Sequence, residues 1–376
     1  MMDPHVCEAM LPYLRDQYAN PSSIHHFGQR IRYAVETARE QVASALGVKP
    51  REIVFTSGGT EANNMAIRGV LAAQPDKRHF VTTQVEHDSV LRLAQQLQRE
   101  GYRVTYLNVD KRGRLDLDEF ESSLTEDTAL ASVMSANNET GVIFPIEKLG
   151  EIAANRGVPF HVDATQTVGK LPLQVGQSPI ELLTLAAHKF HGPKGIGALY
   201  VKRGVHIRRF VWGGHQERDL RTGTENVAGI VGMAEALQLA VEHWDEGSQH
   251  IRGLRDRLEQ GIVDRVGDVC ATAVHINGDR DSRLPNTSNV SFEALEAEAI
   301  LMLLSNEGVC ASSGSACSSG SLEPSHVLAA MGFDERVVHG AIRFSLSQWT
   351  TEDEIDRVLD IMSKVIRRLE TLHIHS

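Results

Sequence analysis

Residues 159–202 read PFHVDATQTVGKLPLQVGQSPIELLTLAAHKFHGPKGIGALYVK. Three short apolar runs stand in it, PFHVDAT (159–165), ELLTLAA (181–187) and GALYVK (197–202), with Gly- and Pro-bearing turns between them. The runs are nearly continuous in apolar residues, as strands covered on both faces are. Upstream the same grammar repeats: EIVFTS (52–57), HFVTTQ (79–84), RVTYLNV (103–109) and TALASVMSA (128–136), with helical stretches such as IEKLGEIAANRG (146–157) between some of them. Strands alternating with helices predict an α/β fold built on a mostly parallel, doubly wound sheet.

From about residue 225 the pattern changes. A long helical stretch runs to about 266 and is broken near Asp245-Glu246-Gly247. Short strands (VHIN, SNVSF), the helix LEAEAILMLLSNEG, the strand AIRFSLS and a last helix follow. The reading is a large domain over 12–245 and a smaller α+β C-terminal domain over 246–376, with residues 1–11 expected to pack with the smaller one. At 376 residues the chain is long enough for two cores.

Composition narrows the function. A net charge of −11 disfavours nucleic-acid or acidic-membrane binding. The N-terminal MMDPHVCEAMLPYLRD carries neither a signal-peptide nor a transit-peptide pattern. No apolar run has the length of a membrane span, so no membrane partner is expected. Four cysteines at 7, 270, 310 and 317 form neither a disulfide framework nor a zinc spacing, which suits a reducing cytoplasm. Cys310, seven residues before Cys317, is expected to be a core residue at a strand, with a resolving thiol as the lesser alternative.

Three segments carry chemistry. Thr56-Ser57-Gly58-Gly59-Thr60-Glu61 joins a strand to a helix. Its glycines and helix N-terminus make a phosphate cradle in principle, and its pattern is neither a dinucleotide fingerprint nor a P-loop. Asp163 ends an apolar strand, where a carboxylate needs a cationic or donor partner; a helix N-cap is the plainer alternative. Lys189, in AHKFHGPKG (187–195), follows the next apolar strand. A lysine there is consumed by forming a Schiff base to an aldehyde, or it snorkels; Lys194 in the Gly-Pro turn is its weaker competitor. Phosphate on Thr60, ring nitrogen on Asp163 and aldehyde on Lys189 together suit pyridoxal 5'-phosphate. His87, at a helix start, can stack on a cofactor ring or sit on the surface. Arg343, alternating with apolar residues in a strand, can take a substrate carboxylate or a structural salt bridge.

One further segment is unusual. SSGSACSSGSLEP (312–324) sets Cys317 among six serines and two glycines. Such a composition does not pack, so a thiol there is free to travel.

With these residues in view, the chain resembles the cysteine desulfurases of the nitrogen-fixation and iron–sulfur-cluster group. These are class V aminotransferase-fold enzymes with the pyridoxal-phosphate fold type I. The resemblance runs through NPSSIHHFG (20–28), FTSGGTEANN (55–64), VEHDSV (85–90), ANNETG (136–141), HVDATQTVGK (161–170), AHKFHGPKG, GGHQERDLRTGTEN (213–226), the Cys317 segment and IRFSLS (342–347). The long serine-rich segment separates this group from its sister group. GGHQER points to the nitrogen-fixation branch.

The resemblance implies a set of roles. Lys189 holds the cofactor and moves protons, and Asp163 binds its ring nitrogen. Gln166 and Asn138 bond near its phenolic oxygen and the substrate carboxylate. His87 stacks and serves as an acid–base group. Gly59, Thr60 and His188 hold the phosphate, with Thr224 from a second subunit of a homodimer. Arg343 binds the carboxylate of L-cysteine. Cys317 takes the sulfur as a persulfide, hands it to an acceptor such as an iron–sulfur scaffold, and is expected to share a cluster iron with that scaffold in passing. Two departures stand out. Ala186 replaces a serine that usually bonds the phosphate. The family also opens with a Tyr-Leu-Asp-Asn-Ala-Ala-Thr-Thr-type strand, while this sequence reads MMDPH at its start, so pocket residues from that strand are expected to be absent. Selenocysteine lyase or aminotransferase chemistry on the same fold, and a non-catalytic partner role, are the alternative readings.

Overall fold

The structure is a computed structural model, and it describes residues 1–268, 270–314 and 324–373. The chain divides into two compact units. The first comprises Met1–Leu107, Leu117–Ser135 and Pro145–Trp244; the second comprises Asn108–Asp116, Ala136–Phe144 and Asp245–Ser376.

Among the described residues, the first unit holds a seven-stranded sheet. Its strands are β1 (Ile53–Thr56), β2 (His79–Thr83), β3 (Arg103–Leu107), β4 (Thr128–Met134), β5 (Phe160–Asp163), β6 (Leu182–Ala186) and β7 (Gly197–Val201), in the order β1-β7-β6-β5-β4-β2-β3. Strands β2 to β6 pair in parallel, and β7 runs antiparallel to both β6 and β1. Six strands therefore share one direction. Their carboxyl ends open on one edge of the sheet, where α/β folds place their ligands.

The helices of this unit are α1 (Pro4–Arg15), α2 (His26–Leu46), α3 (Gly59–Ala73), α4 (Asp88–Arg99), α5 (Leu117–Ser123), α6 (Ile146–Asn155) and α7 (Val227–Glu242). A core that includes Val54, Met65, Ile67, Phe80, Leu97 and Leu130 packs α3 and α4 onto the sheet. The apolar runs read from sequence are these strands: β4 and β6 are buried along their whole length because helices deny them a wet face.

The second unit carries the antiparallel sheet β10-β11-β9-β8, built from β8 (Val274–Ile276), β9 (Thr287–Phe292), β10 (Ser312–Ser313) and β11 (Ala341–Ser345). Helices α8 (Trp244–Gly267), α9 (Ala297–Asn306) and α12 (Glu352–His373) share its apolar core through Leu258, Ile262, Ile300, Leu359 and Ile366; the short α10 (His326–Ala330) and α11 (Glu335–Val338) complete it.

Three expectations are corrected. Residues 1–11 belong to the first unit: Val6 is fully buried, the Asp3 N–H donates to the His191 carbonyl at 3.0 Å, and a Cβ on Gly232 of α7 would stand 2.6 Å from Met10 Sδ. Helix α1 lies on α7, and the missing side chain at 232 makes the seat for it. Segments 108–116 and 136–144 belong to the second unit, although they interrupt the first in sequence. Cys310 is exposed rather than a core residue.

Candidate active site

Strand β1 delivers the glycine turn. Gly58 has φ +151°, and a Cβ on Gly197 of β7 would come within 2.8 Å of Gly58 Cα. Two glycines thus let the turn settle onto the neighbouring strand. The turn is held by Thr56, whose Oγ1 donates to the Gly58 carbonyl at 3.0 Å, and by Glu61, whose Oε2 accepts from the Ser57 N–H at 2.8 Å. Burial alone would raise the Glu61 pKa, but hydrogen bonds from Arg221 and Ser57 outweigh it and lower it. The first turn of α3 then offers the outward N–H groups of Gly59 and the exposed Thr60.

Strand β5 ends on Asp163, which is 5 % exposed. Its Oδ1 accepts from the Thr165 N–H at 2.9 Å, and its Oδ2 accepts from Asn63 Nδ2 at 2.7 Å. Asn63, buried on α3, also donates to Ser89 Oγ at 2.9 Å. Ser89 Oγ stands 2.8 Å from His87 Nδ1, and the Ser89 N–H donates to the same nitrogen at 3.1 Å. His87 is therefore the N-cap of α4 through its ring, and a polar chain joins Asp163 to it. Glu86, fully buried beside His87, accepts from Thr83 Oγ1 at 3.0 Å and the Met134 N–H at 2.9 Å. Burial, with help from the Asp163 charge, pushes its pKa up to about 8.

Strand β6 leads into the turn that carries His188, exposed, and Lys189, half-buried; Lys194 is exposed. Partial burial of its ring, then the ammonium groups of Lys189, Lys194 and Lys170, lowers the pKa of His188. Gln166 is half-buried and accepts from Lys170 Nζ at its carbonyl oxygen (3.0 Å) and at Oε1 (3.3 Å). Thr224 is exposed and follows Gly223, which has φ +105°.

In the second unit, Arg343 sits on β11 and its Nη1 donates to the Asn138 carbonyl at 2.7 Å. Asn138 Oδ1 is buried with no hydrogen-bond partner among the described residues. Next to it, Glu139 is 1 % exposed and its Oε2 accepts from Ser325 Oγ at 2.5 Å. Cys317, with its expected roles as sulfur acceptor and transient iron ligand, lies outside the described residues.

The first unit fits pyridoxal phosphate on its own geometry. Thr165 Oγ1 is buried with no partner among the described residues, and it lies 3.1 Å from where a Cβ on Gly59 would stand. An unpaired hydroxyl beside a glycine cradle and a helix N-terminus is a place for an anion's oxygens. A buried carboxylate ends β5, and a half-buried lysine stands in the turn just past the end of its parallel neighbour β6. That is what the ring nitrogen and aldehyde of the cofactor require. Sequence reading singled out the cradle, Asp163, Lys189 and His87. It missed Asn63, Ser89, Glu86 and Thr165; the available signal was polar residues set in otherwise apolar faces.

Comparison with known proteins agrees. The family model described as aminotransferase class-V matches residues 1–358. A cysteine desulfurase of Nostoc sp. is 56 % identical over 371 residues, covering 99 % of this chain and 92 % of that protein. The cysteine desulfurase NifS of Azotobacter vinelandii is 48 % identical over 372 residues, covering 99 % and 91 %. A solved structure titled as a NifS-like protein superposes with a TM-score of 0.91 at 40 % identity, covering 98 % of this chain and 97 % of that one. Family match, near-complete relatives and the geometry around β1, β5 and β6 converge, and the chain belongs to the class V aminotransferase family.

Proposed function

We propose that this chain is a pyridoxal-phosphate-dependent cysteine desulfurase. It takes sulfur from L-cysteine, releases L-alanine and leaves a persulfide on Cys317 for an acceptor protein that assembles iron–sulfur clusters. The observation that carries the reading is Asp163: a buried carboxylate at a parallel-strand end, held at both oxygens by N–H donors, one strand away from the turn bearing Lys189. The relatives, desulfurases over nearly their whole length, select the reaction among those the fold supports.

Pyridoxal phosphate, when bound, supplies an electron sink at the α-carbon of cysteine. Lys189 binds its aldehyde and carries the α-proton. Asp163 keeps a proton on its ring nitrogen. Gly59, Thr60 and His188 take the phosphate, with Thr224 of a second copy of this chain; His188, its pKa lowered, serves as a neutral donor. Ala186 leaves one phosphate contact unmade. Gln166 and Asn138 orient cofactor and substrate, and Arg343 takes the substrate carboxylate in a bidentate pair.

The Cys317 thiolate attacks the sulfur of bound cysteine. The S–S bond forms as the C–S bond breaks, and the released electron pair and a proton end on carbon as alanine. Thiol plus cysteine gives persulfide plus alanine, so no oxidant enters. The protein works as a homodimer in a reducing cytoplasm; no described helix is long and apolar enough to cross a membrane.

Cys317→Ser tests the reading. It should load cofactor normally, shown by the absorption band, and form no persulfide with cysteine. Persulfide or sulfide release at the wild-type rate in that variant refutes it.

A further inference from the structure

The polar chain between Asp163 and His87 has a direction, set by counting hydrogens. Asn63 is 1 % exposed, so its amide must find its partners inside the protein. Nδ2 carries two hydrogens and meets two acceptors, Asp163 Oδ2 at 2.7 Å and Ser89 Oγ at 2.9 Å. Turning the amide over would press Oδ1 against a carboxylate oxygen, acceptor against acceptor. A carboxylate at 163 therefore selects the orientation seen, even though Asn63 Oδ1 is left buried with no partner among the described residues. Ser89 Oγ, already accepting from Asn63, has one hydrogen to give, and His87 Nδ1 stands 2.8 Å away. The Ser89 N–H reaches the same nitrogen at 3.1 Å. A ring nitrogen that accepts two hydrogen bonds carries no hydrogen of its own.

We propose that Asn63 and Ser89 are positioning residues that hold His87 in the tautomer protonated at Nε2, and that they tie this tautomer to the charge on Asp163. The proposal rests on the desulfurase reading above, together with the stacking and acid–base role that the resemblance implies for His87. Because Nδ1 caps α4 and receives both donors, any proton His87 gives or takes passes through Nε2. The coupling runs through the Asn63 amide. Protonating Asp163 would let the amide turn and accept from both Asp163 and Ser89; His87 Nδ1 would then lose its hydroxyl donor. An ionised Asp163, the form that supports a protonated ring nitrogen, thus keeps His87 in one tautomer during turnover.

The test is nitrogen-15 NMR on holoenzyme labelled at histidine, with the His87 signals identified by their loss in His87→Gln. Wild type should show Nδ1 unprotonated and Nε2 protonated. Ser89→Ala should move both signals toward a mixture of tautomers and lower kcat for alanine formation about tenfold, with KM for cysteine changed less than about twofold. Ser89→Thr, which keeps the hydroxyl, should restore both. Asn63→Asp, whose carboxylate draws the Ser89 hydrogen to itself, should resemble Ser89→Ala in the spectrum. A wild-type spectrum with Nδ1 protonated overturns the proposal, as does Ser89→Ala with unchanged His87 signals. If wild type makes no alanine from cysteine yet shows the Nε2–H tautomer, the desulfurase reading falls and the positioning role stands; active wild type with the opposite tautomer removes the positioning role alone.

Discussion

Replacing Glu217 should loosen both the first unit and its grip on cofactor. Its side chain is 3 % exposed and faces Arg39, 5 % exposed, across two short contacts: Nη1 at 2.8 Å and Nη2 at 2.7 Å. A third donor, the Phe55 N–H on β1, reaches it at 2.9 Å. Without the carboxylate, Arg39 keeps hydrogen bonds to the Ile53 carbonyl at 3.0 Å and to Glu36 at 3.3 Å or longer, and the face of the Phe55 ring 4.8 Å away. Breaking one side of such a buried pair costs about 3–5 kcal/mol, chiefly because a desolvated charge is left behind. The same carboxylate pins a run of three left-handed, non-glycine residues, Glu217, Arg218 and Asp219 at φ +44°, +56° and +65°. Each costs on the order of 1 kcal/mol to hold there. At ~2–4 °C per kcal/mol, Glu217→Ala should lower the melting midpoint by roughly 10 °C. Because Phe55 lies three residues before Gly58, the variant should also lose cofactor faster on gel filtration. Arg39→Met with Glu217→Leu, which removes both charges, should recover much of the loss. A Glu217→Ala protein that melts within about 2 °C of wild type, or a double variant worse than either single one, refutes the argument.

Three more outcomes are expected. His79, fully buried between Thr128 Oγ1 (2.8 Å) and Thr105 Oγ1 (2.9 Å), has its pKa pushed down to about 4 by burial, with Arg103 adding to it. The unfolded chain, near 6.5, binds the proton better, so the His79 contribution is whole above about pH 6.5 and is lost as pH falls toward 4, by roughly 3 kcal/mol in all. Denaturant midpoints should decline between pH 7 and 4 and do so less steeply in His79→Gln; equal slopes would count against it. Gly197→Ala would put a Cβ 2.6 Å from the Leu185 carbonyl and 2.8 Å from Gly58, all backbone. It should destabilise by about 1–3 kcal/mol and weaken cofactor binding about tenfold in an absorbance titration, and unchanged binding would sink this reading of the turn. Gly314→Ala would press on Glu139 Oε2. It should destabilise wild type by about 1–2 kcal/mol and the Glu139→Ala background by less; strict additivity in thermal melts would show the two do not touch.

The sheet was legible because burial on both faces writes itself into sequence as apolar runs, and β1, β2, β4, β5 and β6 each stand where such a run does. Ownership of segments was not. Residues 108–116 and 136–144 lie within the first unit's stretch of sequence, yet Arg112 and Arg114 pair with the buried Asp279, and the Asn289 side chain donates to the Glu139 carbonyl. Those bonds join residues more than a hundred positions apart, and no local pattern encodes them. Helix α1 escaped for the same reason: its seat is a glycine on α7, which is an absence of side chain.

The site divides along the same physical line. Asp163 and Lys189 could be read because each ends an apolar strand, where a charge violates its local setting unless chemistry uses it. Asn63, Ser89 and Glu86 violate theirs as well. Asn63 is a poor helix former buried in mid-helix, and Glu86 is an acid sunk beside β2. Each such residue alone has a bland explanation, a cap or a satisfied core polar group. Their meaning appears only when three-dimensional distances join them into one chain, from carboxylate to amide to hydroxyl to imidazole. The departures from local rules were visible in the sequence one at a time; the fold supplies the pairing that turns a set of exceptions into a device.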